Sequence, residues 1–124
     1  MNENLDLFRE VIDKTLESLP QELKEQIKNL EFIVLEAPTE SFVESHGFKG
    51  QILLGLYVGV PLNKRGVNYN WVLPDRIYIF MNPIIYFANL EGIAIEEKIR
   101  KVALHEIGHY FGMGEDDLRR LGVY

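Results

Sequence analysis

The sequence predicts a mixed domain of helices and short strands, and three observations predict it. Apolar residues recur every three to four positions over residues 4–18 and again over residues 93–111, the period of amphipathic helices. Three β-rich runs, at residues 31–36, 51–59 and 76–81, lie between those helices. The 124 residues suffice for one hydrophobic core and not for two, so all of these elements must share it.

In the first helix Leu5, Phe8, Val11, Ile12, Leu16 and Leu19 form the apolar stripe, with Asp6, Glu10, Asp13, Lys14 and Glu17 opposite. Pro20 fits the first turn of a second, shorter helix whose stripe is Leu23, Ile27 and Leu30. Both read as scaffold. Phe32, Ile33, Val34 and Leu35 make the first strand, closed by Pro38. Pro, Ser and Gly then mark residues 37–50 as a loop, which contains His46. Residues 51–59 are the second strand, and Gly55 inside it marks a bulge or the close approach of another element. Residues 61–74 are a polar connection in which Trp71 is expected to cover the core. After the turn signal of Pro74 and Asp75, the run Arg76 to Met81 is the third strand. Asn82 and Pro83 read as an N-cap and a first-turn proline that open a short helix, ended by Gly92.

The last long helix departs from a plain amphipathic pattern. Ile95, Ile99, Val102 and Ala103 define its apolar arc; Glu96 and Glu97 occupy the first turn, where the helix dipole favours acids. Lys98, Arg100 and Lys101 are expected to face outward. At about 100° per residue, Glu106 falls in the middle of the arc, His109 at its margin and His105 just beyond. A carboxylate therefore stands on the buried stripe. Burying an unpaired charge is costly, so the position calls for a compensating cation or an open cleft. Leu104, Ile107 and Phe111 make a second apolar strip. Gly108 costs about 1 kcal/mol relative to alanine in a helix interior, which points to an element packed closely at that turn. Gly112 stands where a left-handed residue would end the helix and reverse the chain.

His105-Glu106-Ile107-Gly108-His109 is an H-E-x-x-H motif. Two imidazoles at i and i+4 share one helix face and can reach one metal ion, with the glutamate beside them. Zinc suits the pattern, because it takes neutral imidazole nitrogen in tetrahedral geometry and a catalytic site needs three protein ligands plus a water. The reversal at Gly112 makes Glu115 the first choice for the third ligand, Asp116 the second and His46 a distant third. Alternatively, Glu115, Asp116 and Asp117 simply favour the start of a last short helix containing Leu118 and Leu121.

Composition narrows the function classes. The net charge is −6 and no cluster of Lys and Arg is dense enough to neutralise a row of phosphates, so nucleic acid is not an expected partner. The most apolar run, residues 52–60, is too short to span a bilayer, and no membrane partner is expected. The first residues lack the basic start and apolar run of a secretory signal, and there is no cysteine for disulfides or thiolate metal sites. A cytoplasmic location is the expectation.

The motif and its surroundings resemble the small bacterial zincin-like metallopeptidases of minimal zincin fold. The resemblance rests on residues 105–112 and the acids that follow, on residues 54–62, on residues 73–77 and on Leu19-Pro20, so it runs over most of the chain. It implies an α+β fold, a small twisted sheet of about three strands packed with helices, with the active-site helix near the C-terminus and beneath the cleft. It also implies His105 and His109 as metal ligands, Glu106 as the base, and the acid at position 115 as third ligand. The family's aspartate is here a glutamate, one methylene longer, which keeps Asp116 in view. By analogy with larger zincins, the second strand would hold an extended peptide at its edge. With no C-terminal subdomain or Met-turn, the cleft should be shallow and the activity weak or narrow.

The leading expectation is therefore zinc-dependent hydrolysis of a peptide or protein substrate, with Glu106 activating a zinc-bound water. Tyr110, Tyr57 and Arg76 are noted as oxyanion helpers, without weight on them. The rivals are another metal-dependent hydrolase and a non-catalytic metal-binding interaction domain. Metal-dependent endoribonucleases would need a third histidine after the glycine turn, which the sequence does not have.

Overall fold

The computed structural model describes residues 3–66 and 73–121. Trp71, expected to cover the core, lies outside the described residues. The elements in order are α1 (Glu3–Glu17), α2 (Gln21–Lys24), β1 (Leu30–Leu35), α3 (Glu40–Ser45), β2 (Gly55–Val58), a 3-10 turn (Leu62–Lys64), β3 (Asp75–Phe80), α4 (Met81–Glu91), α5 (Ile95–Tyr110) and α6 (Glu115–Leu121). This is the α+β class, with one three-stranded sheet in the order β1-β3-β2. β1 pairs in parallel with β3 from Leu30 opposite Asp75 to Leu35 opposite Phe80. β2 pairs antiparallel with β3, Gly55 opposite Ile79 and Val58 opposite Arg76.

The alternation of β3 organises the core. Ile77 and Ile79 point to one face, where Phe8 and Ile12 of α1, Met81 and Ile84 of α4, and Ile99, Val102 and Ile107 of α5 enclose them. The opposite face carries Tyr78 and Phe80, and Phe42, Val43, Phe48, Leu53 and Leu56 close over them. Edge contacts of Phe42 with Tyr78 (4.8 Å between centroids) and Phe80 (5.6 Å) seal that smaller cluster.

Several boundaries differ from the sequence expectation, each for a local reason. The segment read as a loop at 37–50 contains α3, capped by Thr39, whose hydroxyl accepts the Phe42 N–H at 3.1 Å. Six residues burying only Val43 are too few to display a helical period. α2 is a single turn with no buried residue; Pro20 is its N-cap, and Leu30 belongs to β1. β2 begins only at Gly55, because Leu53 turns into the smaller cluster. Asn82 does not cap α4: β3 runs directly into that helix at Met81, and the Asn82 N–H donates to Glu36 O at 2.8 Å. Gly92 does end α4, in the left-handed region with φ 71°.

Candidate metal centre and cleft

The site is built at the C-terminal half of α5, which lies against both β2 and β3. A Cβ on Gly55 would stand 3.0 Å from Val102 Cγ1 and 3.2 Å from Glu106 Cγ, so the glycine inside the second strand marks the close approach of this helix. The expected burial follows: Ile99, Val102, Ala103, Glu106 and Ile107 are buried, while His105 and His109 are half-buried.

α5 then ends in a complete Schellman arrangement. The Gly112 N–H donates to His109 O and the Met113 N–H to Gly108 O, both at 2.9 Å, with Gly112 at φ 92°. The chain turns back, and Asp117 accepts the Gly114 N–H at 3.1 Å to start α6. Leu118, fully buried, seats α6 on the bare turn at Gly108; a Cβ there would lie 2.4 Å from Leu118 Cδ2. Glu115 is thereby returned to the histidines.

The three acids after the turn thus divide. Glu115 Oε1 stands 3.0 Å from His109 Nε2 and 3.6 Å from His105 Nε2, and the two imidazole Nε2 atoms are 3.2 Å apart. Asp116 is 94% exposed at its side chain and pairs with Arg119 at 3.8 Å, and Asp117 caps the helix. His46 is the exposed C-cap of α3, its ring against Phe42 at 4.2 Å; it is not in the His105, His109 and Glu115 group.

Two imidazole nitrogens and a carboxylate oxygen are a donor set that could hold a metal ion. Their spacing fits a small one, since bonds near 2.0–2.1 Å in tetrahedral geometry put neighbouring donors about 3.3 Å apart. The second nitrogen of His109 supports this. Its Nδ1 lies 3.0 Å from Met113 O, and donating there leaves the Nε2 lone pair toward the cluster.

Glu106 sits beside this group, 7% exposed, with Oε1 accepting the Tyr57 N–H at 2.9 Å. Burial pushes its carboxyl up to about 7; the Tyr57 N–H opposes the shift and the Glu115 carboxylate adds to it. β2 therefore holds the carboxylate through its backbone.

The side chain of Tyr57 ties that strand to a buried ion pair. Its hydroxyl donates to Asp75 Oδ2 at 2.6 Å, the same oxygen that receives Arg65 Nη2, and burial followed by this carboxylate drives the phenol pKa far up. Arg65 Nε donates to Val60 O at 2.7 Å, and its guanidinium lies 5.6 Å from the Tyr110 ring centre. A Cβ on Gly59 would stand 2.4 Å from Asp75 Cγ, so only glycine fits there. Sequence reading missed this network. Asp75 looked like a turn residue, and nothing local marked Arg65 as its partner.

Tyr110, Tyr57 and Arg76, noted without weight as oxyanion helpers, have their polar groups committed elsewhere. Tyr110 is fully buried, its hydroxyl bonded to the backbone of Lys28 at 3.1 and 3.2 Å. Arg76 pairs with Glu31 at 3.5 Å, and Tyr57 with Asp75. A cleft of about 930 Å³ opens between β2 and α5 over His105, Glu106, His109 and Glu115. Lys98 and Lys101, expected to face outward, line it.

Fold and site together define a small α+β protein with a helix-borne pair of histidines, a buried glutamate and a returning acid beside an edge strand. The family model for zincin-like metallopeptidases matches residues 27–123, and the chain belongs to that family. No curated protein matches it. Among the described residues no helix is long and apolar enough to cross a membrane.

Proposed function

We propose that the protein is a zinc-dependent peptidase in which His105, His109 and Glu115 hold the ion and Glu106 is the general base. The observation that carries this reading is the buried Glu106 carboxylate fixed by Tyr57 N–H next to a group of three donors at metal spacing. Zinc supplies, when bound, polarisation of the scissile carbonyl and acidification of water. Glu106 accepts the proton of the attacking water and delivers it to the leaving amine. Among the described residues β2 is an edge strand with no second strand partner, and this edge beside the cleft supports an extended peptide as the substrate.

The test uses zinc-loaded wild type and Glu106→Gln with a quenched fluorescent peptide library, alongside zinc quantification. Equal zinc in both proteins, with hydrolysis by wild type reduced at least about 100-fold in the variant, is the expected result. Equal zinc with no difference in hydrolysis removes Glu106 as the base; zinc binding without any hydrolysis in either protein favours a metal-binding interaction domain.

A further inference from the structure

The chain is acidic, with 19 Asp and Glu against 13 Lys and Arg, yet its cleft carries the opposite sign outside the metal centre. Apart from Glu106, Glu115 and the histidines, the ionisable side chains lining it among the described residues are Lys64, Lys98 and Lys101, together with Tyr57. Lys98 is neutralised by Glu91 of α4, 2.9 Å from both carboxylate oxygens. Lys64 and Lys101 are exposed, and among the described residues neither ammonium has an ion pair or hydrogen bond.

The two lysines sit at different ends of the cleft. Lys101 is one helical turn before His105, about 6 Å along the axis; it precedes Val102, against which Gly55 packs, and Ile52 and Leu54, just before that glycine, line the cleft wall. Lys64 follows Asn63, whose side chain reaches Gly112 O at 3.4 Å, and so stands by the turn that leads to Glu115. Between them lie His105, Glu106 and His109.

From this arrangement we propose that the cleft selects acidic peptides, with Lys101 and Lys64 as the specificity-determining residues on either side of the scissile bond. The proposal rests on the peptidase reading and names its substrate class. An extended chain advances about 3.3 Å per residue, so Lys101 meets a carboxylate about two residues from the scissile bond. The apolar wall, with Ile52 68% exposed, takes an aliphatic side chain on the same side. Two separated ammonium groups suit spaced carboxylates better than a continuous row of phosphates, and the net charge of −6 opposes nucleic acid.

Fluorescence anisotropy on zinc-loaded Glu106→Gln protein tests the preference without requiring turnover. The probes are labelled decapeptides identical except for Glu, Gln or Lys two residues to either side of a central Leu-Ala bond. The Glu peptide should bind at least about tenfold tighter than the Lys peptide at low salt, and the advantage should shrink as salt screens it. Adding Lys64→Glu and Lys101→Glu, exposed changes outside the core, should reverse the order. Affinities equal within twofold, an unchanged order after charge reversal, or a single-stranded RNA of equal length binding more tightly than the Glu peptide would each overturn the proposal. Wild-type cleavage of the same peptides is scored separately. Binding preference without cleavage sinks the peptidase reading alone, and cleavage indifferent to charge sinks the acidic selection alone.

Discussion

Replacing Glu106 with glutamine should make the metal-free protein more stable at neutral pH, although it removes the proposed base. The buried carboxyl titrates near 7 in the folded protein against an ordinary value of 4.5. Between those values the folded chain keeps a proton that the unfolded chain has released. Stability therefore falls as pH rises through the window and is lowest above 7. A gap of about 2.5 pKa units at 1.36 kcal/mol each amounts to about 3 kcal/mol. Glutamine carries no such penalty and still accepts the Tyr57 N–H. Urea denaturation of both chelator-treated proteins from pH 4 to 8 reads the effect as the difference between two proteins that differ at this one side chain. The variant's advantage should grow from near zero at pH 4 to about 3 kcal/mol at pH 8. An advantage that stays flat with pH would refute the claim that burial raises this carboxyl, and an advantage that shrinks would reverse its sign.

Other consequences can be measured directly. Glu115→Gln should weaken zinc binding by more than the 10–100-fold that losing a supporting hydrogen bond costs, whereas Asp116→Asn should leave it within twofold, by competition against a fluorescent chelator. Arg65→Ala leaves the buried Asp75 charge with the Tyr57 hydroxyl but without its cation, and should cost about 3–5 kcal/mol in urea denaturation. Tyr110→Phe should cost about 1–2 kcal/mol by removing the bonds to the Lys28 backbone, with peptide cleavage unchanged; a large loss of turnover at equal zinc would return Tyr110 to the chemistry.

The parts legible in the sequence were those with a repeating signal. α1 and α5 announced themselves by period, Gly112 by its place after a helix, and Glu106 by standing where an aliphatic residue belonged. α3 was hidden because six residues with one buried side chain leave no period to see. Lys101 is exposed as expected and Lys98 half-buried, but the cleft that both of them line was hidden for a different reason. Helical position says which side of α5 leaves the core, but not that β2 and the 3-10 turn rise beside it to make that side a cleft wall. The ion pair of Asp75 with Arg65 was hidden by sequence separation. It joins a strand start to a connection ten residues earlier, and only the register of β2 on β3 brings Tyr57 onto the same oxygen.

The bare turn at Gly108 has a consequence for how the molecule opens. α6 docks through Leu118 into a notch that exists only because residue 108 has no side chain, and it brings one donor across to two on α5. An ion shared by the three would close a loop of only a few residues, from His109 to Glu115, so most of its binding energy acts on the docking of one short helix. In hydrogen exchange, adding zinc should slow the amides of α6 and the turn before it far more than those of β3. The metal would then work as a latch on the last described helix, with the sheet and its core already folded beneath it.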